Sequence, residues 1–572
     1  MQPMGDGLAV LGSRHGMMWD PAGRGAFLVR FDRHPGIPCD LRVGLRVGGR
    51  EAVLPLTAEG ALFEFVEQEI TPTAMILTGI DPVTALKVRL QLRIPFLPQD
   101  AAYSTAPVYY LTVAVSRLDK AFRWQPPVQG AVAGEVFIEL GGAALTLAPA
   151  GAGLDLALSA PYRGLRGGEM PDWQGHTEPD YLTVAERVEV LAGEPTAAGA
   201  RATFELEMGA QGPTLALAWC AYAPPILSVF GEPAPFRYSA EFASLAEVTR
   251  WAREQAAAVE ETGAWFDGVI ADHTLGVTTT HLLAQTLHSW LINTWWALRP
   301  ESGTEWFSVW EGSCYFHSTV DVEFTQGPFY LALWPELLRL QLDEWPAFAK
   351  SGELCAGEVG QGTLFLAHDM GALAACGRQA YPHDMEVEEA ANYVILAYAY
   401  WRRTGDRSIH LRHGETIRRF LDFLVACDTS GNGVPDLGCT NTIDDASPAI
   451  QYGRQNVYLA VKTLAALACG ADLLSDAGYD DLDAYAGQMA GIRDALAERA
   501  WLGDHYAVTL DPSAEGLVDP WTGEMLHGEL PGWDAYHIYT ANALPLLDMV
   551  GYDMDLDDTL LAQDAVNADK RR

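Results

Sequence analysis

Residues 232–266 read EPAPFRYSAEFASLAEVTRWAREQAAAVEETGAWF. Pro233 and Pro235 each remove a backbone N–H and fix φ, so a central strand cannot run through them. Apolar residues then return at Leu245, Val248, Ala252 and Val259, which is helical spacing. The stretch is therefore a seam between two textures, and each side can be read separately.

Upstream of it the chain reads as strands. ALFEFVEQEI (61–70), AMILTGI (74–80), LKVRLQLRIPF (86–96), VYYLTVAVSRL (108–118) and ATFELEMGAQG (202–212) are short, alternating or apolar, and separated by Gly, Pro and Asp. Regular short strands with few helical stretches predict a large antiparallel β-sandwich over residues 1–235. Residues 236–265 read as a helical linker, and 266–572 as a helical domain. Its helices are expected at 278–298, 328–345, 386–405, 413–427, 455–474, 480–501 and 537–551. Long helices joined by motif-rich loops suggest a toroid with its site at the loop mouth.

Composition narrows the function classes. The 572 residues exceed one core, 49% are hydrophobic and 20% charged, as in a folded globular protein. Acidic residues outnumber basic ones 75 to 37, for a net charge of −38. Nucleic acid is a poor partner for such a surface, because phosphate binding needs clustered cations. No uninterrupted apolar run is long enough to cross a bilayer, and the first twenty residues lack signal-peptide character, so a cytoplasmic location is the expectation. The eight cysteines show no C-x-x-C and no regular spacing, which argues against a disulfide framework or a Cys-rich zinc site.

Four constellations could carry chemistry. In TEWFSVWEGSCYFHSTVDVEF (304–324), Glu311 sits between Trp310 and Gly312. An aromatic face suits the C–H face of a sugar, and glycine permits an unusual backbone angle beside a carboxylate. A turn-capping Glu among core tryptophans is the plainer reading. In CTNTIDDASP (439–448), Asp444 and Asp445 precede a helix, where acids are favoured anyway; a buried loop Asp beside Thr442 would also serve as a general acid. AHDMG (367–371) offers His368 and Asp369 for polar contacts rather than metal binding. In DTSGNGVPD (428–436), Asp428, Ser430, Asn432 and Asp436 alternate around glycines like a calcium loop, with an Asx-rich turn as the alternative.

The order W-E-G-x-x-Y-x-x-x-T-x-D-V-x-F (310–324), F-Y-L-A-L-W-P-E-L (329–337), H-D-M-G (368–371), R-R-T-G-D (402–406), D-x-x-G-N-G (428–433) and T-I-D (442–444) resembles the clan joining glycoside hydrolase families 116 and 52. The likeness covers roughly residues 270–480 and includes β-glucosidases, glucosylceramidases and β-xylosidases. It implies an (α/α)6 barrel after the sandwich, and retaining hydrolysis of a small or oligosaccharide β-glycoside without a required cofactor. It further implies Glu311 as nucleophile and Asp444 as acid/base, with Asp445 in reserve. Thr319, Asp321, His368 and Thr442 would contact or support the sugar, with Asp369 and Trp310 beside them. The Glu311–Asp321 spacing is one residue shorter than the family 116 pattern. Only 128 residues follow Asp444, and the family's further sugar-binding Glu and Arg have no match among them, so an incomplete ring is expected. A carbohydrate-binding relative with a degenerate site, and a toroid lyase or amidase, are the alternatives. Homo-oligomerisation is left open.

Overall fold

The computed structural model describes residues 6–571 except 31–35, 121–125, 163–179, 272–275, 300–301, 313, 444–446 and 520–521. The chain forms two compact units. The first holds Met1–Tyr315 with Leu373–Cys376, and the second Phe316–Ala372 with Gly377–Arg572.

The first unit is built on two antiparallel sheets. One runs Asp6–Val10, His15–Asp20, Gly25–Val29, Ile37–Val47, Val132–Gly141, Gly199–Leu206 and Glu194–Pro195, with Arg50–Val53 also pairing Ile37–Val47. The other runs Leu145–Ala150, Gly153–Tyr162, Asp180–Ala192, Gln211–Ala221, Val108–Arg117, Leu86–Arg93, Ala74–Asp81 and Phe65–Thr71. The strand expected from VYYLTVAVSRL lies in the second sheet, pairing Gln211–Ala221 on one side and Leu86–Arg93 on the other. Its inward residues Tyr109, Leu111, Val113 and Val115 are buried, as alternation requires.

A buried ion pair joins the two sheets. Arg30 follows the strand Gly25–Val29, and its Nε and Nη2 donate to Glu186 Oε1 and Oε2 at 2.7 and 2.8 Å, from strand Asp180–Ala192. Trp219 Nε1 also donates to Glu186, and His15 lies against the Trp219 carbonyl at 2.9 Å. Burial would raise the Glu186 pKa, but Arg30 outweighs it and holds the carboxyl below its ordinary value. Burial and Arg30 lower His15 to about 3, so it is neutral.

Helix Leu245–Ala271 packs on this unit's strands, and helix Val277–Asn293 follows it. The helix expected over 278–298 ends early. Thr294–Leu298 is a strand paired with Glu305–Val309, with Trp296 opposite Phe307. The aromatic and β-branched run TWWAL favours a pleated surface, and Gly12 N and O bind Thr294 Oγ1 and Trp296 N at 2.8 Å each.

The second unit is helical. Helix Glu386–Thr404 lies at its centre, buried on every face from Val387 to Tyr400. It packs against Val320–Leu333, Pro335–Glu344, Ser408–Ala426 and Val457–Asp476. Its end is set by R-R-T-G-D: Gly405 takes φ +75° and donates to Trp401 O at 2.7 Å. The single helix expected over 328–345 is two, because Pro335 opens a new helix at its first position. The one expected over 537–551 shrinks to Leu544–Met549, preceded by turns.

Among the described residues one helix, Val457–Asp476, is long and apolar enough to cross a bilayer. It is instead almost wholly buried within this unit, and carries Lys462. Glu323 is enclosed as well, accepting from Tyr330 Oη at 2.5 Å and Gln341 Nε2 at 3.0 Å. Burial pushes its carboxyl up to about 7.

Two stability measurements test these buried acids. Glu186→Gln breaks the inter-sheet pair while leaving Arg30 buried, and urea unfolding should show a loss of roughly 3–5 kcal/mol. For Glu323 the folded state keeps its proton to about pH 7, whereas the ordinary value is 4.5. Unfolding therefore releases a proton between those pH values, and stability falls as pH rises through that window, by about 1.4 kcal/mol per unit. Glu323→Gln should remove this slope; an unchanged pH dependence would show that Glu323 is not its source.

Candidate functional site

In the first unit, Trp310 and Glu311 follow strand Glu305–Val309. Gly312 behind them has φ +43°, the conformation expected of glycine at that position. Glu311 is half-buried. Trp310 is 2% exposed, donates from Nε1 to Leu373 O at 2.8 Å, and has the Arg14 guanidinium 4.1 Å from its ring centroid. The Trp295 ring lies with its centroid 5.0 Å away. The ring is thus part of the core under the Glu311 turn rather than an open platform.

In the second unit, Thr319 and Asp321 begin helix Val320–Leu333, and both are buried. The H-D-M-G segment lies along this start. Val320 N donates to His368 O at 3.1 Å, His317 N to Gly371 O at 2.8 Å, and Met370 N to His317 O at 2.9 Å. Asp369 is fully enclosed. Its Oδ1 accepts from Gly371 N and Ala380 N at 2.9 and 2.8 Å, and its Oδ2 from Tyr381 N at 3.0 Å. Oδ2 also lies 3.0 Å from His368 Nδ1. Asp369, expected beside a sugar, is thus enclosed between three backbone N–H groups and the His368 ring.

The T-I-D loop joins the same assembly. Tyr381 stacks on His368 with centroids 4.3 Å apart, and its hydroxyl accepts from Asn441 Nδ2 at 3.0 Å. Asn441 takes φ +59°, and Thr442 beside it is 4% exposed. Ile443 N donates to Glu388 Oε2 at 3.0 Å. Asp444 and Asp445 lie outside the described residues.

Glu388 is the hub that sequence reasoning missed. Its Oε1 accepts from Tyr458 Oη and lies 3.4 Å from Lys462 Nζ. Lys462 also donates to Asn392 Oδ1, and Asn392 Nδ2 donates to Glu389 Oε2 at 3.2 Å. Glu388, Glu389 and Lys462 are at most 1% exposed. Burial lowers the Lys462 pKa; burial, then Asp321 and Glu388, raises that of Glu389 well above the usual carboxylate range. Glu389, Asp321 and His368 each bring one oxygen or nitrogen within 4.8 Å of the others. Two signals were present in the sequence: the paired acids of EVEEAANY, which look like ordinary helix-start residues, and a lysine inside the apolar run VYLAVKTLAALAC, one of only five in the chain.

The loop read as a calcium candidate is a hydrogen-bonded turn. Asp428 accepts from Asn432 N, Gly433 N, Ser430 Oγ and Gln488 Nε2 at 2.7–3.2 Å. Asp436 accepts from Thr429 N and Oγ1, and Asn432 Oδ1 from Val434 N. These are Asx-turn contacts.

A family model described as glycosyl hydrolase family 52 matches residues 195–400, and one described as the glutaminase A six helical-hairpin domain matches residues 309–514. The chain is glycoside-hydrolase-like. A beta-xylosidase from Geobacillus stearothermophilus is 26% identical over 328 residues, covering 51% of this chain and 46% of that protein. The chain thus spans about half the length of the curated relative it matches. Among solved structures, a protein described as a kojibiose phosphorylase from the human microbiome superposes over 92% of this chain and 69% of its own, at 11% identity and a TM-score of 0.45. A family GH92 inverting mannosidase from Bacteroides thetaiotaomicron does so over 95% and 70%, at 11% identity and a TM-score of 0.40.

The buried Glu388–Lys462 contact gives a prediction independent of activity. Lys462→Met leaves Glu388 enclosed without its cation and should cost roughly 3–5 kcal/mol in chemical unfolding. Adding Glu388→Gln should recover most of that loss, because the two side chains form one unit. Simple additivity of the two variants would mean that the pair is not coupled.

Proposed function

We propose that this protein is a retaining exo-β-glycosidase that hydrolyses β-glucosides or β-xylosides, with Glu311 as nucleophile and Asp444 as acid/base. The observation that carries this reading is an overlap. Residues 309–400 fall within both family matches, and they hold Glu311, its φ +43° glycine, Asp321, His368 and the Glu388 hub that accepts from the T-I-D loop. The motif order shared with families 116 and 52, and the beta-xylosidase relative, support the same assignment. The helices of the second unit are read as part of an (α/α)6 barrel, in keeping with the six helical-hairpin match.

In the first step the Glu311 carboxylate attacks the anomeric carbon while Asp444 gives its proton to the glycosidic oxygen. The bond to the aglycone breaks and a glycosyl ester forms on Glu311. Asp444, now a carboxylate, takes a proton from water, whose oxygen attacks the anomeric carbon and frees Glu311. Two inversions leave the configuration retained. This requires the two carboxyl groups about 5–5.5 Å apart. Thr319, Asp321, His368 and Thr442 would contact or support the sugar, with His368 oriented by Asp369.

Incubation with activated 2-deoxy-2-fluoro-β-glucoside and its xyloside analogue tests the assignment. The fluorine slows ester hydrolysis, so the expected result is a stoichiometric mass adduct mapping to Glu311, abolished in Glu311→Gln. The faster-labelling analogue identifies the sugar. A label on another carboxylate would move the nucleophile, and sugar binding without label or turnover would make the protein a carbohydrate-binding relative.

A further inference from the structure

Cysteines from three separate segments of the second unit converge. Cys355 lies in the short helix Glu353–Ala356 and is part-exposed. Cys427 caps the C-terminus of helix Ser408–Ala426, Cys439 opens the loop that leads to Thr442, and both are buried. Close approaches of backbone hold the segments together. A Cβ added to Gly352 would stand 3.1 Å from Phe423 Cδ2, one turn before Cys427. One added to Gly438 would stand 3.1 Å from Cys355 Sγ and 3.2 Å from Glu386 Cβ. Cys427 O accepts from Asp436 N and Leu437 N at 2.8 and 3.1 Å, and Cys439 Sγ lies 3.0 and 3.2 Å from Pro435 O and Leu437 O.

The three thiols are not equivalent. Burial, then the neighbouring Cys355, raises the Cys427 and Cys439 thiols well above their ordinary value. Both therefore keep their protons and are poor nucleophiles on their own. Cys355 hydrogen-bonds the Glu386 carboxyl, which burial raises above the usual carboxylate range. Of the three, the part-exposed thiol with a carboxylate base in reach is the one that a soluble oxidant meets first. Cys427 is the thiol that Cys355 hydrogen-bonds, which is where a resolving cysteine stands.

We infer that Cys355 and Cys427 form a reversible thiol–disulfide site that takes a hydroperoxide as its oxidant. Cys355 passes its proton to Glu386, and its sulfur attacks one peroxide oxygen. The O–O bond breaks, Cys355 is oxidised to a sulfenic acid, and the other oxygen takes the proton from Glu386 and leaves as water. The Cys427 sulfur then attacks the Cys355 sulfur. The S–O bond breaks, the hydroxyl leaves with the Cys427 proton as a second water, and the S–S bond forms. Two thiols are oxidised and one hydrogen peroxide is reduced to two waters. A dithiol reductant reverses the bond by exchange and is itself oxidised to a disulfide. The bond would tie the end of helix Ser408–Ala426 to Glu353–Ala356 beside residues 436–439, the approach to Thr442. This inference does not rest on the glycosidase reading, since thiol oxidation is read by mass without substrate.

The test treats the reduced full-length protein with hydrogen peroxide, alkylates the remaining thiols and maps peptides without reduction. The expected product is a cross-link between the Cys355 and Cys427 peptides, lighter by two hydrogen atoms and fully reversed by dithiothreitol. Cys355→Ser should abolish it. Cys427→Ala should leave a sulfenic acid on Cys355 that dimedone traps. The map of the unaltered protein decides even where a variant fails to fold. Cys355 left as a thiol while the exposed Cys314 is oxidised would overturn the site. So would a cross-link from Cys355 to Cys439, or oxidation of Cys355 that dithiothreitol does not reverse.

Discussion

Carboxylates buried at the start of two helices are the constraint around which the second unit is arranged. Asp321 and Glu323 occupy the first turn of helix Val320–Leu333, and Glu388 and Glu389 the first turn of helix Glu386–Thr404. Each helix start presents unpaired N–H groups and about half a positive charge, which offsets part of the desolvation of an acid placed there. Lys462 supplies a full charge from a third helix. These terms make the arrangement tolerable, yet apolar side chains of the same volume would cost less. Burial raises the carboxyls of Glu323 and Glu389 within this cluster, and acids shifted in this way are candidates for a functional site.

The loops inherit their positions from this cluster. Glu388 fixes the Ile443 amide, Tyr381 ties Asn441 to the ring of His368, and Asp369 holds the imidazole from the other side. Residues from 319 to 462 thereby converge although their motifs are scattered through the sequence. Loops that carry a site must be held to within fractions of an ångström, and hydrogen bonds to buried charges are the strongest means available. The same dependence explains why Thr442 and His368 are buried while lying in loops.

How much of this was legible follows from what each signal measures. Period-two alternation marked Val108–Arg117 and Ala74–Asp81, and helical spacing marked Glu386–Thr404 and Val457–Asp476, because burial of one face writes itself into local sequence. The break at Pro335 was equally local, but the 3.6-residue pattern continues across it and hid it. The Thr294–Leu298 strand was misread as helix because its pairing with Glu305–Val309 and its tie to Gly12 are tertiary facts. Glu311 and His368 were singled out through motifs. Glu388 and Glu389 were not, since an acid at a helix start looks the same whether solvated or buried. Arg30 and Glu186 are 156 residues apart, and nothing near either names its partner.

The two units resolve buried charge in different ways. Glu186 has two bonds from Arg30 and one from Trp219, so both of its oxygens are matched by donors from its own unit. Such a closed network fixes the packing of two sheets and leaves nothing to bind. Around Glu389 the network is more open: Asn392 meets one oxygen, the other has no donor among the described residues, and Asp321 and His368 stand beside it. Natural cores rarely leave a buried acid half-satisfied unless something else completes it. The second unit's cluster is thus less completely matched by hydrogen-bond donors than the closed pair in the first.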